Sequence, residues 1–254
     1  MLDFLKDVAL KAGKIIKENF LLNNKVYHKG KIDLVTEIDI KVENFIKEKL
    51  SKHFDKVKII AEESFEGDFQ NDNVFFIDPI DGTTNFVHRF PFVAVSIAYY
   101  SKDCQIGVVY NPIIDELFYA QTDKGAFLNG VQIFVSKNES INNSLIATGF
   151  PYSSVEKNIK ELINILERIL KSSRGVRRAG SAALDLCYVA KGVFDGYYET
   201  GLKPWDVAAG MVIVKEAGGV ILNRNGRNYN FVDDYIVATN GKITDDLLGI
   251  LNGV

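Results

Sequence analysis

The chain has few of the features that would place it in a specialised class of protein. Its 254 residues include only two cysteines, Cys104 and Cys187, which stand in apolar surroundings without a recognisable spacing. We therefore expect buried thiols and no disulfide. No apolar run approaches the roughly 18 residues that a membrane span needs, and the first residues lack the layout of a signal peptide. These absences predict a cytoplasmic protein with no membrane partner.

A strong charge of one sign is also missing. The formal net charge is −3, and the basic residues form no long run. Nucleic-acid binding needs clustered Lys and Arg, so no nucleic-acid partner is expected. The three histidines, His28, His53 and His88, show no metal-ligand spacing, which argues against a histidine metal centre. A phosphate-binding site in this chain would have to bring its own positive charge.

The composition that remains is that of an ordinary globular protein. Hydrophobic residues make up 47% of the chain and charged residues 25%, and the length is ample for a core. We predict a single domain over residues 1–254, with two lobes of roughly 1–140 and 141–254.

The stretch at 75–85 carries the strongest chemical signal. An apolar run leads into Asp78 and Asp81, which are separated by Pro79 and Ile80 and followed by Gly82. The run predicts a buried strand that Pro79 and Gly82 end. Ionised carboxylates resist burial unless something pairs with them. A hard cation such as Mg²⁺, which prefers oxygen ligands, is the usual partner.

Other acids stand at the ends of predicted strands or the starts of predicted helices. A short strand at 57–61 ends in Glu62 and Glu63, and Asp39 falls in the first turn of a helix that Thr36 could cap. Asp206 stands near another helix start. From spacing alone, Glu62 and Glu63 could form a solvated loop, and the other two acids could complement helix dipoles.

The order of elements favours layers of sheet and helix. An amphipathic helix over 2–20 opens the chain, and a meander with an Asn129-Gly130 hairpin signal follows the acidic stretch. A later helix is predicted from Ser153 or Ser154 to about Leu170, and helices and strands then alternate. The fold class is α/β (α+β), a layered αβαβα sandwich with a mixed, largely antiparallel first sheet and a smaller second sheet. The residues predicted to face inward on that later helix are Ile159, Leu162, Ile163 and Leu166.

Four motifs in register resemble the inositol monophosphatase family of Mg²⁺-dependent sugar phosphatases. The resemblance spans nearly the whole chain and implies one catalytic domain with that family's layered fold. The motifs are Asp33-Leu34-Val35-Thr36 with Asp39, Glu62-Glu63-Ser64, Asp78-Pro79-Ile80-Asp81-Gly82-Thr83-Thr84-Asn85-Phe86 and Pro204-Trp205-Asp206-Val207-Ala208-Ala209-Gly210.

The resemblance implies a magnesium site with two to three ions per subunit. One Mg²⁺ would be held by Glu62, Asp78 and the backbone carbonyl of Ile80. A second would be held by Asp78, Asp81 and Asp206. Two ions about 3.5–4 Å apart could clamp a phosphate and stabilise both the attacking and the leaving oxygens.

The resemblance also implies the roles of catalytic and substrate-binding residues. Thr83 and Asp39 would orient the attacking water and accept its proton, with Glu62 as the third catalytic residue. The N–H groups of Gly82 and Thr83 would bind phosphate. The residues expected to contact the rest of the substrate are Asp81, Gly180, Ser181, Ala182, Glu199 and Asp206.

The implied reaction is Mg²⁺-dependent hydrolysis of inositol 1-phosphate or a similar phosphomonoester by in-line attack of water. The alternatives within the family are a fructose-1,6-bisphosphatase or dual-specificity enzyme, then a phosphatase for NADP, 3′-phosphoadenosine or histidinol phosphates. An aspartate-nucleophile phosphatase fits poorly, because Asp78 and Asp81 are three residues apart. A non-enzymatic interaction module is disfavoured, since every implied ligand position is intact.

Several further expectations come from the resemblance. Lithium inhibition and a homodimer are typical of relatives. The family places a lysine before the Asp33 motif, where either His28 or Lys29 could correspond. The group formed by Arg174, Arg177 and Arg178 could approach a second phosphate, although an exposed strand edge or a subunit interface is favoured.

Overall fold

The structure, a computed structural model, describes residues 1–28, 34–67 and 72–253. Asp33 of the first motif and Lys29 of the expected lysine position lie outside these residues, so the choice between His28 and Lys29 stays open. Within the described residues, no helix combines the length and the apolar character needed to cross a membrane.

Helices in the described parts of the chain form layers on and between two sheets. Each amphipathic helix buries one apolar stripe against a sheet, which is why helix and sheet layers alternate. The helices are α1 (Leu2–Asn19), α2 (Glu37–His53), α3 (Thr83–Val87), α4 (Tyr152–Ser172), α5 (Ala182–Ala190), α6 (Pro204–Glu216) and α7 (Thr244–Asn252).

The larger sheet follows chain order and is antiparallel except for its first strand pair, which is parallel. Its strands, in spatial order, are β3 (Lys58–Ala61), β4 (Val74–Asp81), β5 (Ala94–Tyr100), β6 (Gln105–Asn111), β7 (Glu116–Gln121), β8 (Ala126–Leu128) and β9 (Val131–Ile133).

The smaller sheet mixes parallel and antiparallel pairs. Its strands, in spatial order, are β11 (Gly175–Arg177), β10 (Leu145–Thr148), β12 (Gly196–Thr200), β14 (Tyr235–Thr239) and β13 (Val220–Asn223). A separate pair, β1 (Val26–His28) and β2 (Leu34–Thr36), precedes α2.

Three apolar clusters show how the layers stack. Helices α1 and α2 cover the outer face of the larger sheet, α5 and α6 fill the space between the sheets, and α4 and α7 cover the outer face of the smaller sheet. This order confirms the predicted αβαβα sandwich. The central layer matters most for function, because α5 and α6 both begin beside the end of β4.

A β-bulge at the end of β4 determines where its two acids point. Asp78 pairs with Ser96 on β5, whereas Asp81 pairs with Ala94. An interval of three residues on β4 therefore lies opposite an interval of two residues on β5. Side chains of a regular strand alternate between faces, and residues three apart would face opposite ways. Because the bulge adds one residue to β4, the side chains of Asp78 and Asp81 point to the same face of the sheet. Both acids therefore point toward the α5/α6 layer.

The inward face of α4 differs from the prediction. Leu162 is buried as expected, but Ile159 and Ile163 are 46% and 50% exposed. The buried positions that accompany Leu162 are instead Ile165 and Ile169, three and seven residues further on. Apolar residues cover more than one face of this helix, so its spacing alone could not identify the face that packs on the sheet.

We expect Gly107→Ala in β6 to destabilise the protein by about 1–3 kcal/mol through overpacking. A Cβ at Gly107 would lie 2.3 Å from the carbonyl oxygen of Ala209 in α6. Urea unfolding would measure the loss. Gly175→Ala is the matched strand control, because the atom nearest to its Cβ would be Arg177 Nη1 at 3.6 Å, an ordinary contact distance. Equal stability of Gly107→Ala and the wild type would contradict the close approach of β6 and α6.

Candidate active site

Three carboxylates from distant parts of the chain meet beside the bulge. Glu62, Asp78 and Asp206 each offer an oxygen, and these oxygens all lie within 4.8 Å of one another. Glu62 begins the 3₁₀ turn directly after β3, which pairs in parallel with β4 and so ends at the same edge of the sheet. Asp206 is in the first turn of α6. The layer order therefore assembles this cluster.

Burial and like charges make the cluster expensive without a counter-ion. Asp78 is 2% exposed, and its Oδ1 atom has no hydrogen-bond partner among the residues that the structure describes. Burial raises the pKa of Asp78 well above its usual range, and the charges of Glu62 and Asp81 raise it further. Burial also raises the pKa of Asp206, and the charge of Glu62 raises it further. Three carboxylates with an unpartnered buried oxygen form a donor set that suits a hard divalent cation.

Asp81 is held in place by the start of α5. Its Oδ2 atom accepts hydrogen bonds from Ser181 Oγ at 2.6 Å and from the Ala183 N–H at 2.7 Å. Burial raises the pKa of Asp81 to about 6, although these hydrogen bonds oppose that shift. These hydrogen bonds engage only one carboxylate oxygen of Asp81. Asp81 lines the cleft together with Glu62 and Asp206.

Thr83, which lines the cleft, forms a second pair with Asp39 behind it. Thr83 Oγ1 lies 3.0 Å from Asp39 Oδ1 and 3.1 Å from the Ile80 carbonyl oxygen. The other oxygen of Asp39 accepts hydrogen bonds from the hydroxyl and the N–H of Thr36, which completes a capping box at the start of α2. Burial raises the pKa of Asp39, against the effect of these hydrogen bonds. Asp39 thus caps its helix and also faces Thr83.

The cleft has a volume of about 190 Å³ and brings together most of the predicted site. Asp78 and Asp39 lie behind its wall, at 2% and 1% exposure. The predicted residues that line the cleft are Glu62, Asp81, Gly82, Thr83, Gly180, Ser181, Ala182, Glu199 and Asp206.

A glycine is required at the turn between β4 and α3. Gly82 has a φ of +93°, which side chains other than glycine rarely adopt. A Cβ there would also lie 3.0 Å from the Phe92 carbonyl oxygen and 3.1 Å from that of Gly180. The first turn of α3 can therefore approach the loop before α5 closely.

Glu199 occupies the side of the cleft opposite to strand β4. Its Oε2 atom accepts a hydrogen bond of 2.6 Å from the Tyr197 hydroxyl. A Cβ at Gly149 would overlap the Glu199 carboxylate, so the absence of a side chain at 149 makes room for it. Burial raises the pKa of Glu199 to about 7, and the Tyr197 hydrogen bond opposes the shift.

Asn85 is a structural partner of the site that the sequence reasoning missed. Its side-chain nitrogen lies 2.8 Å from the Phe92 carbonyl oxygen, 2.9 Å from that of Ala179 and 3.3 Å from that of Gly180. These contacts join α3 to the loop that begins α5. Its place within the 78–86 motif was the available signal, but no local pattern indicates a partner more than 90 residues away.

Two further acids were missed because both lie on helices among apolar residues. Glu43 accepts a 2.8 Å hydrogen bond from the Glu63 N–H and so supports the turn that presents Glu62. Asp185 on α5 is 1% exposed, and in the described part of the chain neither of its carboxylate oxygens has a hydrogen-bond partner. A charged residue on an otherwise buried helix face was the signal that could have identified both.

Some candidate residues lie away from the cleft. His53 stacks on Phe4, with ring centroids 4.0 Å apart. Arg174 donates to the side chain of Asn143, and Arg177 donates to the Val176 carbonyl oxygen. Of the arginine group, Arg178 alone lines the cleft among the residues that the structure describes.

Comparison with known proteins finds the same family throughout. The model of the inositol monophosphatase family matches residues 1–252. Inositol monophosphatase 3 of Solanum lycopersicum is 43% identical over 257 residues, which cover 99% of this chain and 96% of that protein. Nus factor SuhB of Escherichia coli K12 is 39% identical over 252 residues, covering 98% and 94%. The solved IMPase of Thermotoga maritima has a TM-score of 0.90 and 36% identity, covering 99% and 96%.

We expect the protein without divalent cations to lose stability as the pH rises from about 4 to about 7. The folded-state pKa values of Asp81 and Glu199, about 6 and about 7, lie above their usual values of 3.8 and 4.5. The folded state therefore binds more protons than the unfolded state within this window, and stability falls as those protons leave. Thermal melting in a chelator at pH 5, 6, 7 and 8 measures the trend.

Saturating Mg²⁺ should raise the melting temperature more at pH 8 than at pH 5, because the cation binds the ionised acids. Glu199→Gln removes one of the titrating groups. In the chelator, the melting temperature of this variant should therefore fall less steeply with pH than that of the wild type. A melting temperature that rises between pH 5 and pH 8 in the chelator would contradict the assigned burial of these acids.

Proposed function

We propose a function from this premise: the chain belongs to the inositol monophosphatase family, whose members are metal-dependent phosphatases. The proposed reaction is hydrolysis of inositol 1-phosphate, or of a similar polyol phosphate, to the alcohol and inorganic phosphate. The observation that carries it is the meeting of Glu62, Asp78 and Asp206 at the cleft, with a buried Asp78 oxygen that lacks a partner.

The acids are proposed to hold Mg²⁺. Glu62, Asp78 and the Ile80 carbonyl would bind one ion, and Asp78, Asp81 and Asp206 a second, with a third more loosely bound near Glu62. When bound, the ions would neutralise phosphate charge and lower the pKa of the attacking water. The all-oxygen donor set supports Mg²⁺ over softer metals.

Thr83 and Asp39 are proposed to orient the attacking water and take up its proton. The Thr83 hydroxyl can donate to Asp39 while its oxygen accepts a hydrogen bond from water, which fixes the direction of the water. Burial raises the pKa of Asp39, so its carboxylate accepts a proton more readily than an exposed one. The proton would pass from water through the Thr83 hydroxyl to Asp39.

The remaining cleft residues would hold the two ends of the substrate. The N–H groups of Gly82 and Thr83, at the start of α3, would bind phosphate oxygens. On the other side, Glu199 would accept a hydrogen bond from a ring hydroxyl. Gly180, Ser181 and Ala182 would pack against the polyol. Asp206 lies where it could contact the oxygen of the leaving alcohol.

The convergence of the acids on one cleft supports an enzyme over an interaction module. Lithium sensitivity, a homodimeric assembly, a cytoplasmic location and the division into two lobes stay predictions from the sequence. The alternative substrates within the family are separated by the assay below.

We expect the purified protein to release inorganic phosphate from inositol 1-phosphate in millimolar Mg²⁺ and to be inactive in a chelator. A panel with fructose 1,6-bisphosphate, histidinol phosphate, NADP and 3′-phosphoadenosine 5′-phosphate measures selectivity. Added Mg²⁺ should restore the activity of chelated protein, which controls for denaturation. No phosphate release from any substrate at millimolar Mg²⁺ would refute the proposal.

We expect Asp81→Asn to lower kcat by at least about 100-fold, because the variant loses a proposed metal ligand. Stability without metal should be retained or increased, since a buried charge is removed. Steady-state kinetics and urea unfolding measure the two effects separately.

Asp195→Asn is the matched control for this variant. Asp195 is also buried and also accepts one hydroxyl and one backbone N–H, from Ser136 and Leu145, but it lies outside the cleft. Its kcat should stay within about threefold of the wild type, because Asp195 does not line the cleft. Near-normal turnover of Asp81→Asn would remove Asp81 from the proposed site.

A further inference from the structure

A second cavity, with a volume of about 360 Å³, lies beside α6 and shares no lining residue with the cleft. The end of β5, the start of β6, the later turns of α6 and the segment 228–231 enclose it. That segment is fixed to the fold, because Asn228 forms a β-bridge with Leu222 and the ring of Phe231 lies 5.1 Å from that of Phe76. The volume is within the range of about 300–1,000 Å³ that small-molecule sites occupy.

Several polar side chains that line this cavity have no partner in the described parts of the chain. Tyr229 is only 7% exposed, yet its hydroxyl takes part in no hydrogen bond there. The same is true of the side-chain amides of Gln105 and Asn228. Buried polar groups normally have hydrogen-bond partners. The cavity therefore presents donors and acceptors that a bound molecule could satisfy.

Lys215 supplies the charge of this cavity. Among the described residues that line the cavity, it is the one charged side chain, and no ion pair or hydrogen bond engages its ammonium group. The residue is exposed overall, but burial of the ammonium group lowers its pKa. Lys215 also stands in the last turn of α6, where a cation complements the helix dipole. The dipole accounts for a positive charge at this position but not for the unpaired polar groups of the same cavity.

The walls and the charge together determine which class of ligand fits. Tyr100, Tyr229 and Phe231 supply aromatic surface, and Met211 adds a flexible apolar contact. Aromatic side chains favour a ring, which packs on them in offset-stacked or edge-to-face contacts. One ammonium group matches a single negative charge. A doubly charged phosphate fits less well, because the carbonyl end of α6 carries a partial negative charge.

We propose that this cavity is a binding site for a small aromatic carboxylate. Lys215 would pair with the carboxylate group, and the aromatic side chains would pack on the ring. The hydroxyl of Tyr229 and the amides of Gln105 and Asn228 would bind polar substituents of the ring. The ligand would contact the helix whose first turn carries Asp206. Binding at this cavity does not depend on the proposed hydrolysis.

An NMR titration of the isotope-labelled full chain with 4-hydroxybenzoate tests the proposal. A chelator keeps the cleft free of metal, so that a carboxylate is not drawn to a cation there. We expect saturable binding with a dissociation constant below about 1 mM. The uncharged analogue 4-hydroxybenzyl alcohol and the ringless anions acetate and inorganic phosphate should each bind at least about tenfold more weakly.

Three variants locate the bound ligand. Lys215→Gln should weaken the binding of 4-hydroxybenzoate at least about tenfold, because it removes a charge-assisted hydrogen bond. Lys17→Gln is the matched control and should keep the wild-type affinity. Lys17 is likewise exposed, stands in the last turn of its helix and forms no ion pair with the described residues. Tyr229→Phe should weaken binding about three- to tenfold without lowering the melting temperature, since no protein hydrogen bond of that hydroxyl is lost.

The outcomes that contradict the proposal are distinct. Equal affinity of Lys215→Gln and the wild type overturns it, and so does equal binding of the uncharged alcohol. Acetate or phosphate that binds as tightly as 4-hydroxybenzoate also overturns it, because the aromatic walls would then contribute nothing. Absence of binding by 4-hydroxybenzoate, benzoate and indole-3-carboxylate would refute it outright. None of these results bears on phosphate release, so the proposed function is tested separately.

Discussion

Mutual repulsion among the carboxylates that meet at the end of β4 is the constraint on which the site depends. Glu62, Asp78 and Asp206 place oxygens within 4.8 Å of one another, and Asp78 is almost fully buried. Such a group is unfavourable in a folded chain unless protons or cations neutralise it. The elements that supply the acids, β3, β4 and α6, are well packed and hold them together. The stability of the core thus offsets the cost of holding these acids together at the proposed cation site.

Surrounding hydrogen bonds fix Asp81, the turn that presents Glu62, and the start of α3. Ser181 and the Ala183 N–H hold Asp81, so the start of α5 is tied to the end of β4. Glu43 supports the turn after β3, and Asn85 joins α3 to the loop before α5. These contacts come from rigid elements of several layers. Side chains held in this way need little rearrangement when charge develops in a reaction.

Much of the fold and the chemistry followed from local patterns in the sequence. Apolar periodicity predicted most helices and strands, and their order predicted the αβαβα layers. Thr36 was predicted to cap α2, and it does so through its hydroxyl. Asp78 was singled out because a charge at the end of a buried strand is unfavourable without a partner. Spacing left Glu62 open to a solvated loop, and the motif resemblance assigned it to the site. These are properties of short segments, which need no knowledge of distant contacts.

The stretch around Asp78 and Asp81 shows what only the tertiary structure decided. The sequence determined that two acids follow a buried strand, but residues three apart in a regular strand face opposite ways. The bulge against β5 turned both toward α6, and a register between strands is a long-range property. Likewise, α4 has apolar residues on more than one face, and only packing on the sheet selected one. Two of the partners of Asn85, the carbonyl groups of Ala179 and Gly180, lie more than 90 residues away, and only the fold brings them into contact.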